Sequence, residues 1–107
     1  MEAALNKLLD DIKADYRTFG KDSEIRRKMI EEFDEGIRYE TGRKYIKIVT
    51  ASGSQSSVWG FVVNTDNDKK FRKGDILKAA GWAAPARNFS RGNILDGGYT
   101  IRWTGTQ

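Results

Sequence analysis

The chain has 107 residues, with 19 Lys+Arg against 15 Asp+Glu, no His, no Cys and one Pro, a length that allows one domain with one modest core. The missing Cys removes disulfides, thiolate metal sites, cysteine nucleophiles and Fe–S clusters; the missing His removes the usual zinc sites, every Ser-His triad and the commonest general base. No apolar run approaches the roughly 20 residues that span a bilayer, and Met1 to Asp10 carry no signal-peptide pattern, so a small soluble cytoplasmic domain with no membrane partner is expected.

The first third of the chain has helical periodicity. Leu5, Leu8, Leu9 and Ile12 fall at i, i+3, i+4 and i+7 and form one apolar stripe, which Tyr16 and Phe19 extend. Lys7, Asp10, Asp11 and Lys13 fall between them and face water. Gly20 is expected to stop this helix, and Asp22 or Ser23 to cap a second one by accepting a backbone N–H of its first turn. The second helix carries Ile25, Met29 and Phe33 on one line with Ile30 beside it, and Gly36 is the expected C-cap in the left-handed conformation. Glu24, Arg26, Arg27, Lys28, Glu31 and Glu32 read as a solvated face with pairs such as Lys28 and Glu32.

From Ile37 the period becomes two. Ile37 to Glu40 and Arg43 to Thr50 flank Thr41-Gly42, a tight turn in which Gly would supply positive φ. Val58 to Val63 is a second strand, and Asn64 to Lys70 is turn chemistry. Lys73-Gly74-Asp75 turns into a strand that runs through Lys78. Tyr99, Ile101 and Trp103 alternate with Thr100, Arg102 and Thr104 as a half-buried last strand. These elements predict an α+β protein in one domain, 1–107: two N-terminal helices over 1–36, then over 37–107 a small antiparallel β-barrel, SH3-like or OB-like, whose open side the helices cover.

The stretch from Ala79 to Leu95 is not periodic. A long irregular segment in a small domain is usually functional or disordered, and Trp82, Phe89, Ile94 and Leu95 give this one anchors. Its small residues permit close approach of a strand, the helices or a ligand, and Pro85 holds its neighbour extended. Arg87, Asn88, Arg91 and Asn93 then cluster within seven residues; two planar forks and two amides suit phosphate oxygens, carboxylates or base edges. The plainer alternatives are that Asn88 and Asn93 bond nearby backbone, that Arg87 and Arg91 pair with Asp75 or Asp96, and that Trp82 is a core lid. Trp59 and Trp103 sit in strand patterns and read as core, which leaves Trp82 and Phe89 as the candidates for exposure.

Charge is unevenly placed. Residues 1–43 hold 11 acids and 9 bases, a net of −2, whereas residues 44–107 hold 4 acids and 10 bases, a net of +6. A localised positive field attracts an anionic partner; the alternative is that lysines keep a β domain soluble and its edges unpaired.

Lys44 to Ile48, Val58 to Val62, Phe71 to Lys78 and Trp82-Ala83-Ala84-Pro85-Ala86-Arg87-Asn88 through Arg91-Gly92-Asn93-Ile94 together resemble small proteins encoded by tailed bacteriophages. The resemblance spans 37–104, and its most specific part lies within residues 74–94. It brings no assigned activity or catalytic residue. It implies synthesis in the cytoplasm of an infected bacterial host and a role in host takeover or phage DNA metabolism. Fold analogy to ribosomal and transcription-factor SH3-like domains adds no function by itself.

The leading expectation is a non-enzymatic nucleic-acid-binding module. Lys44, Lys47, Lys69, Lys70, Arg72, Lys73, Lys78, Arg87, Arg91 and Arg102 would supply phosphate contacts, Asn88 and Asn93 further polar contacts, and Trp82 or Phe89 a stacking surface for a base. Strand alternation places Lys44 with Ile46 and Ile48, opposite Tyr45 and Lys47, which argues against one patch. No ribonucleoprotein aromatic motif, GXXG clamp or zinc knuckle is present. The alternative is a module that binds an acidic surface of a host protein, with Trp82, Pro85 and Phe89 as anchors and Arg87 or Arg91 at the centre. An enzyme is least expected, because Asp66, Asp75, Asp96 and Glu40 all sit in turn chemistry. Asn64 to Asp68 has alternate oxygen donors but lacks the Gly and distal Glu of a calcium loop. The scattered glycines form no phosphate-cradling loop, so no cofactor is expected. The chain could be a monomer or a homodimer, since the first helix's stripe could pack on its own barrel or on a second copy.

Overall fold

Leu5, Leu8, Leu9, Ile12 and Tyr16 are the buried residues of helix α1 (Glu2–Arg17), the stripe their spacing predicts. The computed structural model describes residues 2–18, 23–52, 55–97, 99–102 and 105–106. The expectations placed on Phe19, Gly20, Asp22, Trp103 and Thr104 lie outside the described residues. Helix α2 (Glu24–Gly36) is capped by Ser23, whose hydroxyl oxygen accepts the Arg26 N–H at 3.1 Å, satisfying one of the free donors of the first turn.

Helix α2 is turned differently from the pattern of its apolar residues. Ile25 is 75% exposed and Met29 is exposed as well, while Arg26 and Phe33 are buried. The Arg26 guanidinium lies over the Tyr16 ring, 4.3 Å from its centroid, and donates to the Tyr16 carbonyl. Tyr16 in turn stacks on Phe33 with ring centroids 4.0 Å apart. A planar cation on an aromatic pair gives this face area, dispersion and a satisfied donor together, and it carries Ile25 round to the solvent side. Gly36 is likewise not a left-handed cap: the positive-φ glycines among the described residues are Gly74, Gly92 and Gly97. Ile37 ends the helix in an extended conformation, its N–H donating to the Phe33 carbonyl. Gly36 is the point where the helix meets Ala51, at a separation that leaves no room for a side chain.

Four strands, β1 (Arg38–Thr41), β2 (Tyr45–Ser52), β3 (Gln55–Val63) and β4 (Ile76–Lys78), form an open antiparallel sheet in sequence order. Two further short strands, β5 (Ile101–Arg102) and β6 (Gly105–Thr106), pair with each other. The chain is α+β. Thr41-Gly42 lies at the first turn as expected, but Gly42 serves by close approach, since a Cβ there would meet the Tyr45 carbonyl oxygen at 2.8 Å. Gly74, with φ of +94°, does occupy the left-handed region and turns the chain into β4.

The register between β2 and β3 shifts after Ile48, leaving Trp59 unpaired between Val58 and Gly60. This is a β-bulge. Trp59 is buried and its indole N–H donates to the Arg102 carbonyl at 2.8 Å. The main core joins the α1 stripe and Phe33 to Ile46, Ile48, Val62, Ile76 and Ile94. A smaller cluster on other strand positions holds Phe61, Val63, Leu77 and Phe71, with Tyr45, Val58 and Ala79 against it. The sheet is therefore apolar on both sides.

Residues 79–95 run back along the free edge of β4. The Ala86 N–H donates to the Lys78 carbonyl, the Arg91 N–H to the Ile76 carbonyl, and the Ile76 N–H to the Gly92 carbonyl, at 2.7–2.8 Å. Pro85, which has no N–H, faces Ala79 in an isolated bridge. Trp82 stands at the tip of a turn closed by the Ala80 N–H on the Ala84 carbonyl at 2.9 Å.

Candidate functional site

A hollow of about 620 Å³ opens beside the start of β2, lined by Arg43, Lys44, Tyr45, Thr65, Asn67, Asp68, Lys69 and Arg87. Three parts of the chain meet there. Arg43 and Lys44 come from the β1–β2 turn, which Asn64 clamps: its amide donates to the Gly42 carbonyl at 3.0 Å and its backbone N–H to the Lys44 carbonyl at 2.8 Å. Residues 65–71 are folded by their own side chains. The Thr65 hydroxyl accepts the Asn67 N–H, and the Asp68 carboxylate accepts the N–H groups of Lys70 and Phe71, the local bonding for which Thr and Asp are favoured in turns. The edge segment contributes Arg87.

Arg87 is fixed on every side. It pairs bidentately with Asp68 at 2.8 and 3.0 Å, donates to the Tyr45 hydroxyl, and lies 5.0 Å from the centre of the Phe71 ring. Its backbone carbonyl accepts from the Lys70 ammonium at 2.7 Å. The Arg87 guanidinium, helped by the two backbone N–H groups, holds the Asp68 carboxyl well below the usual carboxylate range, and the same pair raises Arg87. By contrast Arg43, Lys44 and Lys69 are exposed and have no ion-pair partner among the described residues. Four cations thus surround one carboxylate that is already paired, and the hollow presents a net positive field.

Lys44 does belong to this patch. Strand alternation set it opposite Tyr45, but β2 begins at Tyr45, so Lys44 is a turn residue to which alternation does not apply. Tyr45 and Lys47 share a face of β2, and the Lys47 ammonium lies 4.7 Å from the centre of the Trp82 ring. Trp82 is 54% exposed, as is Phe89. Phe89 carries the Arg91 guanidinium 3.9 Å from its ring centre.

The remaining candidates are elsewhere or occupied. Arg72 forms an exposed ion pair with Asp96, and Lys73 sits in the turn before β4 with its carbonyl accepting from Asn93. Asn93 is 5% exposed. Its amide donates to the Asp75 carboxylate at 2.9 Å, and its oxygen accepts the Leu95 and Asp96 N–H groups, which is the backbone-bonding alternative. Asn88 is exposed and accepts the Phe89 N–H. Sequence reasoning overlooked Arg43, Tyr45, Thr65 and Asn67 as lining residues. The one signal for Arg43 was its position beside Lys44 at a hairpin tip. Among the described residues no group of three or more His, Cys, Asp or Glu could hold a metal ion, and no helix is long and apolar enough to cross a membrane.

These features describe a small α+β domain with a hollow lined largely by cations. The chain belongs to the family of unknown function DUF7717, which it matches over residues 1–101. No curated protein and no solved structure matches it.

Proposed function

We propose that the protein is a non-enzymatic nucleic-acid-binding module, with the hollow at Arg43, Lys44, Lys69 and Arg87 as its phosphate contact. The observation that carries this reading is the charge of that hollow: three cations without an ion-pair partner among the described residues and one anchored guanidinium around a single neutralised carboxylate. Such a site attracts phosphate oxygens through charge-assisted hydrogen bonds, and Thr65 and Asn67 add neutral partners. The groups present suit binding. The one carboxylate in the hollow is bound by Arg87 and two backbone N–H groups, which removes it as a base. A curved SH3-like or OB-like barrel belongs to the same proposal, since such barrels bind nucleic acid on a strand face. So does the setting implied by the phage resemblance, the cytoplasm of an infected bacterium.

The test is fluorescence anisotropy of labelled oligonucleotides at about 50 and 200 mM salt, with wild type and a Lys44→Ala/Lys69→Ala variant. Binding at low salt that weakens with salt and falls about tenfold or more in the variant supports the reading. Binding to no oligonucleotide at low salt refutes it.

A second reading is docking to an acidic host protein, favoured by Trp82, Phe89 and Leu95 all being half exposed. Trp and Arg are among the residue types that anchor interfaces, and here Trp82 is exposed and Arg91 lies on the Phe89 ring. Capture of a bacterial protein that survives nuclease and moderate salt would favour it.

A further inference from the structure

We infer that the nucleic acid taken by this face is single-stranded, with one base stacked on the open side of Trp82 while a neighbouring phosphate lies in the hollow. The inference rests on the nucleic-acid reading above and adds the form of the ligand and the residue that distinguishes it.

Trp82 is built as a platform. It stands at the tip of the turn from Ala80 to Ala84, whose other residues, Ala80, Gly81, Ala83 and Ala84, are exposed and small, so nothing bulky on its own turn shields the ring. The Lys47 ammonium, 4.7 Å from the ring centre, occupies one side, and the indole is still 54% exposed. A cation on one π-face orients the ring and leaves the opposite face for a second flat partner. Every base has a π-face, so stacking there is tolerant of sequence.

The platform and the hollow are neighbours. Tyr45 lines the hollow, and Lys47, which carries Trp82, is two residues along the same strand and therefore on the same face, roughly 6–7 Å away. A chain with a phosphate among Arg43, Lys44 and Lys69 has its next bases within reach of Trp82. In a duplex both faces of each base are already covered by its neighbours, and a flat indole gains nothing. Reading a duplex groove would need a helix or ribbon bearing free cations. Helix α2 is instead net acidic, with Glu24, Glu31, Glu32, Asp34 and Glu35 against Arg26, Arg27 and Lys28, and its Arg26 is buried against Tyr16.

Phe89 is the natural control. It is as exposed as Trp82 and likewise carries a cation, Arg91, on one ring face, but its partner Arg91 is not among the residues lining the hollow, whereas Lys47 stands on the strand whose Tyr45 lines it.

The experiment compares labelled oligo(dT) and oligo(U) 12-mers with a 12-base-pair duplex at about 50 mM salt. Wild type, Trp82→Ala, Trp82→Phe, Phe89→Ala and Lys44→Ala/Lys69→Ala are each measured, with circular dichroism as the check on folding. Wild type is expected to bind one or both single strands at least tenfold more tightly than the duplex. Trp82→Ala should lose about tenfold to a hundredfold on single strands and nothing on duplex. Trp82→Phe should retain most of the affinity, and Phe89→Ala all of it. The Lys44→Ala/Lys69→Ala variant should weaken every ligand alike. Equal binding of duplex and single strand, an unaffected Trp82→Ala, or a loss confined to Phe89→Ala overturns the inference while the phosphate site stands. No binding of any of the three ligands by wild type removes the nucleic-acid reading itself.

Discussion

Asp68 shows how one side chain can organise a site without offering its charge to a ligand. Its carboxylate holds Arg87 bidentately and accepts two backbone N–H groups, and this pairing keeps its carboxyl well below the ordinary carboxylate range. A depressed folded-state value means a stability contribution fully present above the unfolded value, about 4, and lost as pH falls below it. Asp68→Asn removes the ion pair at every pH, so the gap in melting temperature between wild type and variant should be constant from about pH 7 to 5 and narrow towards pH 2.5. Thermal melts across that range check it; a gap unchanged at pH 2.5 would show that the pairing contributes nothing. The variant also frees Arg87, and its binding of oligonucleotides at pH 7 should tighten severalfold. The Asp in this turn was visible in the sequence, but its partner stands 19 residues away, and no local spacing announces that. Asn93 was legible both as a ligand contact and as a loop former. Only its burial against Asp75 selects the second.

The elements follow the sequence where the signal is a repeated spacing. The α1 stripe, the β1–β2 hairpin and the Gly74 turn into β4 are all where periodicity and turn chemistry put them. The orientation of α2 was not legible, because its inward face is set by Arg26 stacking on a ring in another helix, and charged residues are ordinarily assigned to solvent. Gly36 is a related case. Helix propensity alone makes Gly to Ala favourable by about 0.5–1 kcal/mol. Here a Cβ would stand 2.7 Å from the Ala51 Cβ and 2.8 Å from its carbonyl oxygen, and the backbone on one side of that contact cannot yield as a side chain would. Overpacking of this kind costs about 1–3 kcal/mol, so Gly36→Ala should destabilise by about 1–2 kcal/mol. Urea unfolding measures it directly. A variant more stable than wild type would mean that α2 stands further from β2 than these distances imply.

Across the molecule as a whole, the sequence places a net +6 in residues 44–107 against −2 in residues 1–43, yet it does not say how many of those cations are free. The fold divides them. Arg72 and Arg87 are held by Asp96 and Asp68, Lys70 by the Arg87 carbonyl, and Lys47 and Arg91 lie on aromatic rings. In the hollow that leaves Lys44 and Lys69, with Arg43 from the last position of the other half. The distinction has a measurable consequence. Each phosphate neutralised on a single strand contributes about −0.7 to the slope of log affinity against log salt. Three contacts give a slope of about −2, which between about 50 and 200 mM salt is a loss of about twentyfold. Ten contacts, the whole basic half acting as a field, would give a slope near about −7 and a loss of about 10⁴-fold. Anisotropy titrations with oligo(dT) at four salt concentrations across that range separate the two. A slope near −2 that drops to about −0.7 in Lys44→Ala/Lys69→Ala places the phosphate contacts in the hollow. A slope near −7 spreads them over the basic half, and a flat response would leave the positive charge to solubility alone.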